Sequence, residues 1–484
     1  MFDTKRTKIV CTLGPATEDD EVLREMMRAG MNVARLNFSH GDHEYHRKNI
    51  ERVRRISQEL GKHVAIMTDT KGPEIRTRLN EGGGLIDLKT GNTVDITTAN
   101  VKSTPTCIAL DYEPLPNEVG AGDIIYINDG LIGLEVIGVT DGLVHCTIVD
   151  GAPLGERKGV NIPTVKVGLP SVTEQDRKDI RFSCEIGVDA IAASFVRDAD
   201  AVEEIRRLCR DFGAPNMMIV SKIESGFAVE KFDEILNASD GIMVARGDLG
   251  IEIPPAKVPQ VQRDIIEKCN LTYTPVITAT QMLESMSEHP RPTRAEVTDV
   301  ANAIREGSDC VMLSGETAAG AYPVQTVKTM AEICRQTEEH LVARDTYHSH
   351  GDKRNVSGVT GYAADQVANF VGAKILLSPT LTGRTARIMS SFRPSLPIVA
   401  TSPQETTLRR CCFYWGVEAV LSNERDDVRT VSADALRAVK KAGFVKSRDL
   451  VVITAGDPLY SPLPLEEVVT AVTPTNVLII AEIM

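Results

Sequence analysis

The chain has 484 residues, enough for two to four domains that each bury a core. Apolar residues make up 42% and charged residues 25%, and a formal net charge of -13 argues against general attraction to nucleic acid or an anionic membrane. Ten cysteines stand singly apart from the adjacent Cys411 and Cys412, there is no zinc spacing, and neither a signal region nor an apolar run of membrane-spanning length is present, so a cytoplasmic enzyme with reduced thiols is expected.

In chain order, short apolar runs with polar ends cover Lys8–Thr12, Asn32–Ser39, His63–Thr70, Ala190–Ser194, Met217–Glu224, Gly241–Asp248, Pro275–Thr280 and Asp309–Ser314. Helical patterns lie between them at Asp19–Ala29, His43–Leu60, Asp198–Phe212, Pro259–Asn270, Arg294–Glu306 and Pro323–Arg344. The polar ends recur about every 30 residues, and eight strands alternating with helices predict an α/β fold of the (β/α)8 TIM-barrel kind, which needs about 250 residues. One step, from Thr70 to Ser194, is far longer than the rest. Residues 74–167 carry alternating β patterns with glycine and aspartate turns, such as Gly91–Ile96 and Asp123–Gly130, so a small β-barrel or sandwich is inserted after the third strand. That insert hangs over the face where the strands end and can act as a lid. The expected catalytic barrel is then 1–73 plus 168–344. After a polar stretch at Asp345–Ser357, a βαβ series at Ala373–Leu377, Pro397–Thr401, Ala419–Leu421, Asp449–Ile453 and Asn476–Ile480 predicts a doubly wound C-terminal α/β domain over 355–484.

Barrel enzymes place their chemistry at the C-terminal ends of the strands, and those ends are unusually polar here. Strand side chains alternate faces, so Lys222 and Glu224 point the same way, as do Arg35, Asn37 and Ser39. Glu224 and Asp248 are candidate Mg²⁺ (or Mn²⁺) ligands, because such ions favour one or two carboxylates completed by substrate oxygens and water. A structural Lys222–Glu224 or Arg246–Asp248 ion pair is the alternative. Asn37, Ser39, Asp69 and Thr70 offer oxygens suited to a weakly hydrated monovalent cation, and Arg35 and Arg76 suit bidentate phosphate contacts. A lone Asn or Ser there is more often a turn or cap residue. Gly247 and Gly250 flank Asp248 and allow close backbone approach to an anion. A lone threonine such as Thr280 is more often a helix cap, and Ser314–Thr317 fits a cap and capping box as readily as a ligand contact. A phosphorylated carboxylate with a nucleotide accounts for the cations together, since phosphoryl transfer is mostly positioning and charge neutralisation. No GxxxxGK[ST] loop is present, so a nucleotide is held some other way, between barrel and lid.

Eight stretches in order, Thr7–Pro15, Met31–Gly41, Asp69–Thr77, Ser221–Ser225, Met243–Pro254, Ala279–Met286, Pro290–Glu296 and Ser314–Ala318, resemble the pyruvate kinases. The resemblance spans the barrel, the insert and, more loosely, the C-terminal part. It implies phosphoryl transfer from phosphoenolpyruvate to ADP, giving pyruvate and ATP. It implies Mg²⁺ on Glu224 and Asp248, and charge neutralisation by Lys222. Arg35 is then on the phosphoryl group, and Gly247, Asp248 and Thr280 border the substrate. Thr280 is also the family position tied to enolate protonation. K⁺ falls to Asn37, Ser39, Asp69 and Thr70, and the nucleotide to Arg76, Lys158 and His40, with Asn37 nearby. In that family a glutamate at the place of Glu74 accompanies K⁺ dependence. Thr380, Thr382, Gly383, Arg384 and Thr385 resemble a phosphate-cradling effector loop, without the lysine of the fructose-bisphosphate-responsive eukaryotic form; a plain helix cap is the alternative. The family also implies a homotetramer. Two other readings share parts of this pattern: a Mg²⁺-dependent lyase or aldolase acting on pyruvate enolate, and a non-catalytic metabolite sensor.

Overall fold

Strands buried on both faces need apolar side chains on both faces, and the eight barrel strands have them. The computed structural model describes residues 5–341, 355–423, 428–456 and 474–484. In it Lys8–Thr12, Met31–Asn37, Ala65–Asp69, Ala190–Ala193, Met218–Ile223, Gly241–Ala245, Val276–Ala279 and Cys310–Leu313 close into a barrel. Every strand pairs in parallel with its neighbours, and the first pairs with the eighth. Along each strand alternate residues separate. Val10, Val33, Met67, Ala192, Val220, Met243, Ile277 and Met312 pack with one another inside, while Ile9, Leu36, Ile66, Ile191, Ile219 and Val244 pack against the helices.

The expected runs fall on these strands with shifted ends. The largest departure is the sixth, expected to reach Asp248: its strand stops at Ala245 and Arg246–Glu252 is a short helix. Helices start where a side chain can cap them. Asp42 accepts from Tyr45 N ahead of His43–Leu60, and Thr293 with Glu296 forms a capping box ahead of Arg294–Glu306. A helix at Glu174–Ile186, capped by Thr173 and Asp176, was outside the expected set. The helix expected over Pro323–Arg344 ends at Glu338, and 342–354, most of the polar stretch at Asp345–Ser357, lie outside the described residues.

Between the third and fourth barrel strands a seven-stranded sheet runs in the order Ile75–Arg76, Gly159–Asn161, Ile124–Ile127, Ile132–Thr140, Leu143–Asp150, Thr93–Thr97, Cys107–Ala109. Its two edges meet. Thr77 bridges to Leu110, Arg78 N donates to Ala109 O at 2.8 Å and Asp111 N to Arg76 O at 3.0 Å. The sheet thus curls into a small barrel around Ile96, Ile108, Ile125, Leu134 and Val144.

The C-terminal sheet has the order Val417–Leu421, Ile398–Ser402, Ile375–Pro379, Leu450–Ala455, Val477–Glu482. Four strands are parallel, as a doubly wound unit requires, but the last runs antiparallel on the edge. An edge strand pairs on one side only, so no crossover fixes its direction. A turn at Cys411–Phe413 from this unit closes the floor of the catalytic barrel. Phe413 is fully buried, its carbonyl accepts from Cys310 Sγ at 3.4 Å, and Lys8 Nζ donates to Val417 O at 2.7 Å. Two buried carboxylates at the strand starts are tied in as well, Asp189 by Arg409 and Asp309 by Arg393, each at 2.7 Å. With the floor plugged, the open end of the barrel is the one beneath the insert.

Candidate active site

The period-two rule that sends Val10, Val33, Met67, Ala192 and Val220 inward sends Thr12, Arg35, Asp69, Ser194 and Lys222 inward one step later. They meet at the barrel mouth. Arg35 Nε donates to Asp69 Oδ2 at 2.7 Å, and its Nη1 to Thr12 Oγ1 at 3.0 Å. Lys222 Nζ lies 3.2 Å from Asp69 Oδ1, 2.8 Å from Ser194 Oγ and 2.8 Å from Glu224 Oε1. Asp69 and Glu224 are each 1% exposed, so these charges are balanced by one another rather than by water. Burial works against the charge on Lys222, but Asp69 and Glu224 outweigh it and hold the ammonium charged. Burial likewise pushes Asp69 up, and Arg35 and Lys222 more than reverse that. Ser194 and Thr12 were not among the expected site residues. Both end apolar runs on the inward face, so parity alone points to them.

Glu224 continues past the fifth strand, where its Oε2 accepts from Phe195 N at 2.5 Å. Asp248 approaches the Glu224 carboxyl from the first turn of the Arg246–Glu252 helix. Burial pushes Glu224 up to about 7, with Lys222 opposing and Asp248 adding, and burial also raises Asp248. Two close, buried carboxylates with excess negative charge form a donor set that a divalent cation satisfies better than a proton does. No group of three or more His, Cys, Asp or Glu placed to hold a metal stands among the described residues, so an ion here would rest on two carboxylates. The Lys222–Glu224 ion pair is therefore real but embedded in a larger cluster. The alternative Arg246–Asp248 pair does not form, since Arg246 Nη1 bonds Asp299 at 2.7 and 2.8 Å.

Arg246 does something else. Its Nη2 donates to Thr280 O at 2.6 Å and its Nε to Ala279 O at 3.2 Å. Thr280 and Gln281 have φ of 69° and 51°, a left-handed conformation that costs a β-branched residue heavily. The Arg246–Asp299 pair grips that turn. Thr280 Oγ1 then accepts from Gly247 N at 2.8 Å, so it caps the Arg246–Glu252 helix across the site rather than a helix that follows it. Ser314, expected to cap through its hydroxyl, makes no side-chain cap; the buried Glu316 carboxylate accepts from Ser314 N at 2.6 Å and Leu283 N at 3.1 Å instead.

Asn37 and Asp69 are register partners on the second and third strands; Ser39 follows two residues after Asn37 and Thr70 directly after Asp69. Asn37 Oδ1 accepts from Ser39 N at 3.1 Å, and Thr70 O accepts from Ser194 Oγ at 2.6 Å. A cleft of about 370 Å³ between barrel and insert brings Glu74, Arg76, Lys158, Phe195, Asp248 and Glu252 onto common walls. Glu74 Oε2 takes Arg76 Nε at 2.8 Å, and Asn161 of the insert donates to Glu252 Oε1 at 2.8 Å. His40 is exposed beside Ser39, outside the cleft walls.

In the C-terminal unit Thr380, Thr382 and Gly383 precede the helix Arg384–Ser391. Thr380 Oγ1 accepts from Gly383 N at 3.0 Å, and Thr385 Oγ1 pairs with Thr475 Oγ1 at 2.8 Å. The segment Asp457–Tyr460 lies outside the described residues.

This chain matches the family model of the pyruvate kinase barrel domain over residues 4–327 and that of the pyruvate kinase alpha/beta domain over 359–463. The chain belongs to the pyruvate kinase family. A pyruvate kinase of Geobacillus stearothermophilus is 48% identical over 462 residues, and one of Sporosarcina psychrophila 46% over 459. Each alignment covers 94% of this chain and 78% of the relative. A crystal structure of a pyruvate kinase from Cryptosporidium parvum superposes with a TM-score of 0.92 at 39% identity, covering 99% of this chain and 97% of that one. A pyruvate kinase acts on phosphoenolpyruvate and ADP. No helix among the described residues is long and apolar enough to cross a membrane.

Proposed function

We propose that the cluster at the barrel mouth carries out this phosphoryl transfer with the following division of labour. The P–O bond to the enol oxygen of phosphoenolpyruvate breaks, a bond to a β-phosphate oxygen of ADP forms, and the enolate carbon takes a proton to give pyruvate. A divalent ion on Glu224 and Asp248, magnesium or manganese, supplies positive charge against substrate and phosphoryl oxygens. Lys222 neutralises the migrating phosphoryl group and the developing enolate, and Arg35 holds the phosphoryl oxygens. The Gly247–Asp248 turn and Thr280 border the substrate carboxylate, and the Thr280 hydroxyl would serve protonation of the enolate through water. Asn37, Ser39, Asp69 and Thr70 hold K⁺. Arg76 and Lys158, with His40 and Asn37, orient the nucleotide under the insert.

One observation carries this reading: a charged lysine and arginine buried against Asp69 and Glu224, with Asp248 alongside, at the open end of a plugged barrel. The test couples pyruvate and ATP formation from phosphoenolpyruvate and ADP to separate indicator reactions, with Mg²⁺ and K⁺ present. Equal amounts of both products are expected; pyruvate without ATP would return the lyase reading. The same proposal extends to a phosphorylated effector at Thr380–Thr385, a homotetramer, and a cytoplasmic location.

A further inference from the structure

A second groove lies on the outer face of the insert. About 530 Å³ in size, it is walled by Arg76, Arg78, Lys102 and Arg157, with Asp111 as the only carboxylate. Four cations gathered around one acid are unexpected in a chain of net charge -13. The side chains of two of them are exposed and unpaired among the described residues: Lys102, and Arg157, whose backbone at φ 54° sits in the left-handed region. Arg78 braces the walls, donating from Nε to Leu110 O and from Nη1 to Asn100 Oδ1, both at 3.0 Å. Arg76 is spoken for by Glu74 at 2.8 Å and by Arg157 O at 2.8 Å, and both Arg76 and Arg157 line the active-site cleft as well. Leu79 and Val101, 38% and 51% exposed, give the groove an apolar strip beside its charges.

We propose that this groove is a second anion site that takes a polyphosphate chain, inorganic or carried by a nucleoside. Several guanidinium groups gathered with an exposed ammonium match the repeated oxygens of such a chain, and a wall shared through Arg76 and Arg157 couples it to the catalytic cleft. Occupancy then draws these two side chains outward and weakens the hold on nucleotide. This second part rests on the nucleotide role proposed for Arg76; the binding itself does not.

The test is calorimetric titration of the full chain with inorganic tripolyphosphate, with ATP and with adenosine. Three proteins are compared: wild type, Arg78→Ala/Lys102→Ala, and Lys158→Ala, whose change lies in the catalytic cleft. Wild type should bind two equivalents of tripolyphosphate. The groove variant should lose one site or weaken it about tenfold to a hundredfold, whereas Lys158→Ala keeps that site. Tighter binding of ATP than of tripolyphosphate at the groove identifies the nucleoside-borne form and the apolar strip, and equal binding identifies the inorganic form. Tripolyphosphate should also raise KM for ADP less in the groove variant than in wild type. Unchanged stoichiometry and affinity in the groove variant overturns the site. Lys102→Ala alone, the loss of an exposed and unpaired side chain, repeats the binding test should the double variant unfold.

Discussion

Lys222→Met removes the buried ammonium while keeping most of the side-chain volume. Three contacts go with it, to Asp69, Ser194 and Glu224, leaving Arg35 as the one cation against Asp69, Glu224 and Asp248. Breaking a buried pair by removing one partner costs about 3–5 kcal/mol. The loss should depend on pH in a definite direction. Lys222 has a raised folded pKa, so its own contribution is complete below the unfolded lysine range and constant between pH 5.5 and 8. In the variant the carboxylates lose the charge that lowers them, so their folded pKa values rise further. A carboxyl raised on folding contributes stability below its unfolded pKa that is lost as pH climbs through the folded one. The deficit is therefore larger at pH 8 than at pH 5.5, and Mg²⁺ should shrink it by supplying charge. Turnover should fall about 10²–10³-fold, the usual effect of deleting a preorganised group that meets transition-state charge, equivalent to about 2.7–4 kcal/mol. Denaturant unfolding at both pH values with and without Mg²⁺, alongside the coupled assay, reads all of this. Wild-type turnover, or a deficit that grows toward acid, would refute the reasoning.

Three further outcomes follow from the same geometry. Position 74 carries a carboxylate, bonded by Arg76 at 2.8 Å, rather than a cation that could stand in for K⁺, so replacing K⁺ with tetramethylammonium should lower turnover more than about tenfold, and Glu74→Lys should recover part of it; equal rates in both salts defeat the assignment. Because burial raises Glu224 to about 7 and raises Asp248 as well, Mg²⁺ binding near pH 6.5 should release up to about one proton and tighten as pH rises, measurable by calorimetry in buffers of different ionisation enthalpy; binding without release contradicts the raised carboxyls. Arg246→Ala frees a turn whose left-handed residues store about 1–3 kcal/mol each, so kcat should drop about 10–100-fold with little change in KM for ADP, and a matched loss in both would instead indicate general unfolding.

Much of the barrel was legible because its signal is local. Runs of apolar residues at a regular spacing, with polar residues ending them, located all eight strands, and parity put Lys222 with Glu224, and Arg35 with Asn37 and Ser39, on common faces. The strand-end pattern supplied Asp248 and the family motifs gave Thr280 its role, but neither supplied their backbone. Asp248 reads as a strand end, whereas it arrives on a helix, because a short apolar segment continuing past a strand has no local mark of where the chain bends. Arg246 offered Asp248 as its obvious partner two residues away, yet it bonds Asp299 and the carbonyl of Thr280, a choice made by how neighbouring barrel units dock.

The barrel, an all-β insert, the α/β nature of the C-terminal part and the polar residue types at the mouth are all written in periodicity and composition, which are local along the chain. Long-range docking settles instead that the insert closes through Thr77 and Leu110, that Phe413 plugs the floor, and that the left-handed turn at Thr280 is held by Arg246. Each joins residues far apart along the chain, and each compensates locally unfavourable groups, open sheet edges, buried charges or strained backbone, with partners that exist only once the barrel has closed.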